Sequence, residues 1–159
     1  MRSPLMRVVV LVAILALLPV AAGCGSSKKK STAAAHALTK AEFLKRGNAI
    51  CKQGNQQINR VARKLFPNRK ARPSQAQLKK FATATLIPSV QSQINGVKAL
   101  GAPKGDEAKV SAIVTSAQAA LDQGKRNPLL LTSNAHDPFA KSDKLAKAYG
   151  LTVCGSGGG

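Results

Sequence analysis

Acidic side chains are what this sequence has least of: six Asp and Glu stand against 25 Lys and Arg, for a formal net charge of +19. That balance excludes an acidic solvating protein and points toward anionic partners. Six acids and two His leave little material for acid–base catalysis. No HExxH, GxSxG, CxxC or Gly-rich phosphate loop occurs. Aromatics are scarce, with four Phe, one Tyr and no Trp. Eight Pro and 13 Gly are too few for a fibrous chain, and 44% hydrophobic residues are too many for a wholly disordered one. A length of 159 residues holds one domain, or one domain and a tail, and excludes a TIM barrel. No segment alternates long enough to make a strand, and no internal repeat is present.

The chain opens with Arg2 and Arg7 and no acid, followed by the apolar run Val8 to Ala22, broken only by Pro19. A membrane-spanning helix needs about 20 apolar residues, so this shorter run behind a basic start reads as the h-region of a secretory signal. No later segment is apolar enough to span. The run ends in Ala21-Ala22-Gly23-Cys24, then Gly25-Ser26-Ser27. This resembles the lipobox of bacterial lipoproteins, with Ala21 where Leu is commoner in that family. The resemblance implies that Cys24 receives a diacylglyceryl group, becomes the new N-terminus and carries palmitate-type acyl chains. It places the protein on the outer face of the cell membrane, in the envelope. Two or more acyl chains anchor stably where one does not. The alternative is ordinary signal cleavage and a soluble secreted protein.

Residues 24–38 read as a lipidated tether, small, polar and low in complexity. In it Lys28, Lys29 and Lys30 would each contribute about 1 kcal/mol near an anionic leaflet, or serve solubility alone. His36 is expected to be solvated. The remaining layout is a signal peptide over 1–23, a helical domain over 39–154 and a flexible tail over 155–159.

Within the domain, Thr39-Lys40-Ala41-Glu42 is a capping box. Phe43, Gly47, Ile50, Gly54, Ile58, Val61 and Leu65 then mark one helical face, stopped at Pro67-Asn68. The two glycines weaken the helix but let a neighbour approach. Ser74-Gln75-Ala76-Gln77 is a second capping box. The helix after it contains Pro88, which should kink or split it. Asp106 and Glu107 open a third helix, where acids complement the dipole. Asn127-Pro128 ends it, and Leu129-Leu130-Leu131 should cover one end of the core. Asp137-Pro138 reads as an N-cap and first position of a short fourth helix. Gly150 supplies its left-handed stop, and Leu151 the apolar contact of a Schellman motif. The expectation is an all-α fold, an up-down four-helix bundle with one disulfide.

With Cys24 lipidated, Cys51 and Cys154 are left to pair in an oxidising compartment. Cys51 lies about 18 Å up the first helix, and a descending fourth helix of about 20 Å brings Cys154 to about that height. Two free buried thiols are the alternative. The ending Tyr149-Gly150-Leu151-Thr152-Val153-Cys154-Gly155 and the early Cys51 are similar to small exported helical lipoproteins, a likeness that implies no activity.

The strongest remaining feature is a run of cations without an acid: Arg60, Arg63, Lys64, Arg69, Lys70, Arg72, Lys79 and Lys80. It is either a solvated hairpin tip or a docking patch for an anionic cell-wall polymer or lipid. Export removes nucleic acid as a partner. Asp106-Glu107 as a catalytic carboxylate pair and His136-Asp137 as a base with its orienter are both weaker readings than capping. Two scattered His and distant acids do not make a metal site, and no cofactor is called for. The expected role is non-catalytic. A small-ligand or sensor module with a pocket between helices is the alternative.

Overall fold

The computed structural model describes residues 37–68, 70–133 and 135–156, which lie in one compact unit. The segment read as a signal peptide (1–23), Cys24, most of the segment read as a tether with its His36, Arg69 and residues 157–159 lie outside them. The described residues contain no strand, and no helix among them is long and apolar enough to cross a membrane.

The first helix, α1 (Lys40–Leu65), starts where the capping box places it. The Thr39 hydroxyl accepts from Glu42 N–H at 3.3 Å, and the Glu42 carboxylate accepts from Thr39 N–H at 3.0 Å. Leu38, just before the cap, packs against the core cluster that includes Phe43. That is the placement of a hydrophobic staple, and it assigns Leu38 to the domain rather than to the tether.

The next rod consists of α2 (Gln75–Phe81), a π turn (Ala82–Leu86) and α3 (Ile87–Ala99). Just before Pro88 a π turn interrupts the regular helix, between α2 and α3. The preceding turn widens, so that Ile87 N–H reaches back five residues to Ala82 O. A proline ring crowds the carbonyl four residues before it and donates no hydrogen bond, and the wide turn relieves that crowding.

Helix α4 (Glu107–Arg126) follows, then a 3₁₀ turn (Pro128–Thr132) and α5 (Ala140–Tyr149). Neighbours in sequence are neighbours in space: α1 packs on α3, α3 on α4 and α4 on α5. The start of α1, the start of α4 and the end of α5 meet at one end, through Lys40, Asp106 and Tyr149. The rods therefore run up and down.

Leu129 to Leu131 pack in the 3₁₀ turn against α2, the π turn and the end of α4. They cover the end of the bundle opposite the tether junction, as expected. The core joins Phe43 and Cys51 of α1, Val97 of α3, Val110 and Ile113 of α4, and Ala146 and Tyr149 of α5.

The Cys51–Cys154 disulfide is formed, with Cα atoms 5.1 Å apart, but the chain arrives by another route than a simple descent. α5 runs to the end where α1 begins, and Tyr149 packs edge-on against Phe43 at 6.0 Å. Gly150, at φ +108°, then reverses the chain. Leu151 N–H bonds Ala146 O at 2.9 Å and Gly150 N–H bonds Lys147 O at 3.1 Å, the paired bonds of a Schellman motif. From there residues 151–154 climb alongside α1. Leu151 is fully buried over Gly47, where a Cβ would sit 2.6 Å from its Cδ2. Gly54 likewise lies under Gln93. Helical structure continues in a 3₁₀ turn, Cys154–Ser156, with Gly155 buried, two residues beyond the expected boundary.

Two further sequence expectations are corrected. Leu65 is 51% exposed because Phe66 takes the inward position instead, against Phe81. The fourth helix begins at Ala140 rather than at Pro138. Phe139 is its N-cap, without a side-chain cap bond, and the Asp137 carboxylate accepts from Phe139 N–H at 2.8 Å in the turn just before the helix.

Candidate functional site

The basic hairpin tip is made by a helix stop, an Asx turn and a helix start. Phe66 precedes Pro67, so it leaves the α region (φ −127°, ψ 64°). Asn68 then takes Lys70 N–H on its side chain at 3.0 Å and Ala71 N–H on its carbonyl at 3.2 Å. The Ser74 capping box opens α2, with the Gln77 side chain returning to Ser74 N–H at 2.8 Å. Phe66 and Phe81 close the hairpin from inside, edge to face at 5.5 Å.

Of the eight cations expected here, Arg60, Arg63, Lys64, Lys70, Arg72, Lys79 and Lys80 are described, and all seven are exposed. The ion pairs among the described residues involve Lys40, Lys109 and Lys125, none of them in the tip. The tip is thus a concentration of unneutralised charge, whose field reaches about 8 Å into physiological salt. Among its described residues from Arg60 to Lys80 there is no Asp, Glu, His or Cys.

The acids have gone elsewhere. Glu42 belongs to its capping box, and its carboxyl is held below the usual range by the Thr39 hydroxyl, then by Thr39 N–H. Asp122 bonds within α4, beside the amide bridge that joins α4 to α3. It accepts from Lys125 at 3.0 Å and from Gln118 at 2.9 Å, and both bonds lower its pKa, Lys125 the more. Gln118 and Gln91 exchange amide hydrogen bonds across the same helix pair, at 2.9 and 3.2 Å.

Asp106 stands at the N-terminus of α4, where the dipole reading places it. Its side chain makes no capping bond. It accepts instead from Lys109 at 3.0 Å and from Tyr149 Oη at 2.9 Å, with Lys40 at 4.0 Å. Lys109 first and Tyr149 second hold it below the ordinary carboxyl range. Tyr149 moves the other way, pushed up to about 12 by burial and then by Asp106. Lys40 lies 4.6 Å above the Tyr149 ring, a cation–π arrangement. Asp106 and Glu107 therefore do not form a carboxylate pair. Asp137 gives an oxygen to Phe139 N–H, and His136 is exposed beside it.

One clamp was not read from the sequence. Asn48 donates to Gly150 O at 3.1 Å and accepts from Val153 N–H at 2.9 Å. It ties the reversed ending to α1. A polar residue within a helical face carries no signal for a partner about a hundred residues away.

No group of three or more His, Cys, Asp or Glu among the described residues is placed to hold a metal ion. No family model, no curated protein and no solved structure matches the chain.

Proposed function

We propose that the protein is a non-catalytic envelope lipoprotein, anchored through Cys24, that docks an anionic cell-wall polymer through its basic hairpin tip. The observation that supports this most is the tip itself: seven exposed cations across the end of α1, the turn and α2, without an ion pair among the described residues. α1 has 26 residues, so the tip lies about 39 Å from the point where the preceding chain joins the domain. A lipid at Cys24 would hold that junction near the bilayer and leave the tip a helix length away. A polyanion at that distance suits the site better than the protein's own membrane. Phe66 is half-buried and Phe81 buried, so neither ring is free for stacking, and the attraction is electrostatic.

The test compares the exported protein with a variant carrying Arg63, Lys64, Lys70 and Arg72 as Gln, on purified anionic wall polymer and on anionic vesicles at rising salt. The reading expects retention on the polymer that falls steeply with salt and is lost in the variant. Equal retention of the two proteins, or stronger binding to vesicles than to polymer, rejects it. The anchor is tested separately by Cys24→Ala, which should move the protein from the membrane to the soluble fraction. An unmodified, soluble product from the unaltered gene would support secretion without a lipid.

A further inference from the structure

All six acids of the chain lie outside residues 43–105. That stretch supplies α1 beyond its first turn and the whole second rod, and it carries 13 Lys and Arg. The positive tip is therefore the end of a larger surface without acids. Followed down from the tip, the outer face of α1 continues it. Lys52, Gln56, Arg60 and Lys64 stand four residues apart, with Gln53 and Gln57 beside them, a spacing that aligns side chains on one face. All six are exposed, on the side of the helix opposite the buried Cys51 and Ile58. From Lys52 to Lys64 the row is about 18 Å long. The elements packed along α1 are the π turn, α3 and the Cys154–Ser156 turn, and none of them contains an Asp or Glu.

The middle of this row is neutral. Gln53, Gln56 and Gln57 take no part in the hydrogen bonds among the described residues, unlike Gln77, Gln91 and Gln118, whose amides are bonded. An amide side chain offers two donors and an acceptor. To a bare chain of anions it gives less than a Lys or Arg, whose hydrogen bonds are charge-assisted. With a hydroxyl, itself donor and acceptor, it pairs in both senses. A face that sets three free amides between cations therefore suits a ligand in which hydroxyls alternate with negative charge.

We propose that the docking surface is a track running from the tip down α1 to Lys52, and that its ligand is an anionic polymer whose repeating unit bears hydroxyls. Lys52 and the cations from Arg60 to Lys64 take successive anionic groups, and the three amides take the hydroxyls between them. The inference rests on the reading of the tip as a polymer site, and adds the class of polymer and the line along which it lies.

The test measures dissociation constants of the exported protein for fluorescent poly(glycerol phosphate) and, separately, for inorganic polyphosphate of matched charge, which has anions and no hydroxyls along its chain. Gln53→Ala with Gln56→Ala and Gln57→Ala leaves the charge unchanged. Alanine suits an exposed helical position, so thermal unfolding should match that of the unaltered protein. This variant should bind poly(glycerol phosphate) about tenfold more weakly, the order expected of a few ordinary hydrogen bonds, and polyphosphate equally well. The difference should persist at raised salt, where the ionic part of the binding is screened. The variant with Arg63, Lys64, Lys70 and Arg72 as Gln should lose both polymers. Loss in that variant with none in the alanine variant, or an equal loss of both polymers in the alanine variant, would overturn the track and leave the tip standing. Unchanged binding in the tip variant would overturn the reading of the tip, and the track with it.

Discussion

Lys40 and Lys64 stand in the first and last turns of the same helix, and their surroundings differ in kind. Lys40 lies over the Tyr149 ring and 4.0 Å from Asp106, at an end where three helices and the reversed C-terminal segment converge. Lys64 is exposed, beside Arg60 and Arg63 and a leucine that is itself half in solvent. One end uses its charges to join elements, with a disulfide, a Schellman motif and the Asn48 clamp close by. The other end is closed by two Phe rings and leaves its charges to solvent. Scarce acid produces the difference. Asp106 is committed to Tyr149 across the bundle and Asp122 to Gln118 and Lys125 on its own helix, and the tip has no acid of its own.

This contrast predicts that stability resides at the tether end and binding at the tip. The largest loss should come from Cys51→Ser or Cys154→Ser. The bond spans 103 positions, and closure of a loop of that order is worth about 4 kcal/mol in the chain-entropy model. Urea unfolding of the oxidised and substituted proteins measures it. A loss equal to that of a tip substitution would erase the distinction between the ends.

Leu151→Ala should follow, at about 3 kcal/mol, because the side chain is fully buried against Gly47. Gly47→Ala should also destabilise, since a fully enclosed Leu151 has little room to retreat. Gly54→Ala should be nearly neutral, because its neighbour Gln93 is half-exposed and can swing aside. Thermal unfolding of the two alanine variants, side by side, sharpens the comparison to two glycines seven residues apart on one helix.

Tyr149→Phe should cost about 1 kcal/mol, the net worth of an ordinary hydrogen bond. The chain has one Tyr and no Trp, so phenolate absorbance reports this side chain alone. Its midpoint should lie at about 12 rather than at the ordinary tyrosine value of about 10. A phenol whose pKa is raised by folding contributes stability in full below pH 10, and the contribution disappears as pH rises toward 12. Glu42, Asp106 and Asp122 have the opposite sign. Their pKa values are lowered from 4.5 for Glu and 3.8 for Asp. Their contribution is present above those values and is lost as pH falls below them. An absorbance midpoint at 10 in the native protein would remove the Tyr149–Asp106 contact from the account.

The smallest effect on stability belongs to the tip. Replacing Arg63, Lys64, Lys70 and Arg72 with Gln should change the unfolding free energy by no more than about 0.5 kcal/mol, and relief of like-charge repulsion should make any change favourable. A large destabilisation would show that these side chains hold the hairpin together.

Much of the fold was legible because its signals are local. Thr39 with Glu42 and Ser74 with Gln77 are joined within one turn, so spacing alone revealed both caps. Gly150 and Leu151 form their motif with residues three to five positions back. The pairing of Cys51 with Cys154 followed from cysteine number and a rough topology. The route to it did not, since a ten-residue helix running to the base and a chain turning back up give the same pair as a helix ending at mid-height. Leu65 was placed inside by periodicity, which cannot register that Phe66 turns inward after the helix stops.

The sequence by itself determined the helices, their caps and stops, the excess of positive charge and its concentration between Arg60 and Lys80, because each depends on neighbours within a turn or on composition. Tertiary structure decided the fate of Asp106, whose phenol partner is 43 residues away, and of Asn48, whose partners are 102 and 105 residues away. It also decided the groove of about 420 Å³ between the 3₁₀ turn and the start of α5, which no segment encodes. That space exists because α5 is shorter than α1 and the connector covers only part of the difference. A cavity of this kind is a mismatch between elements, and it has no definition until they are packed.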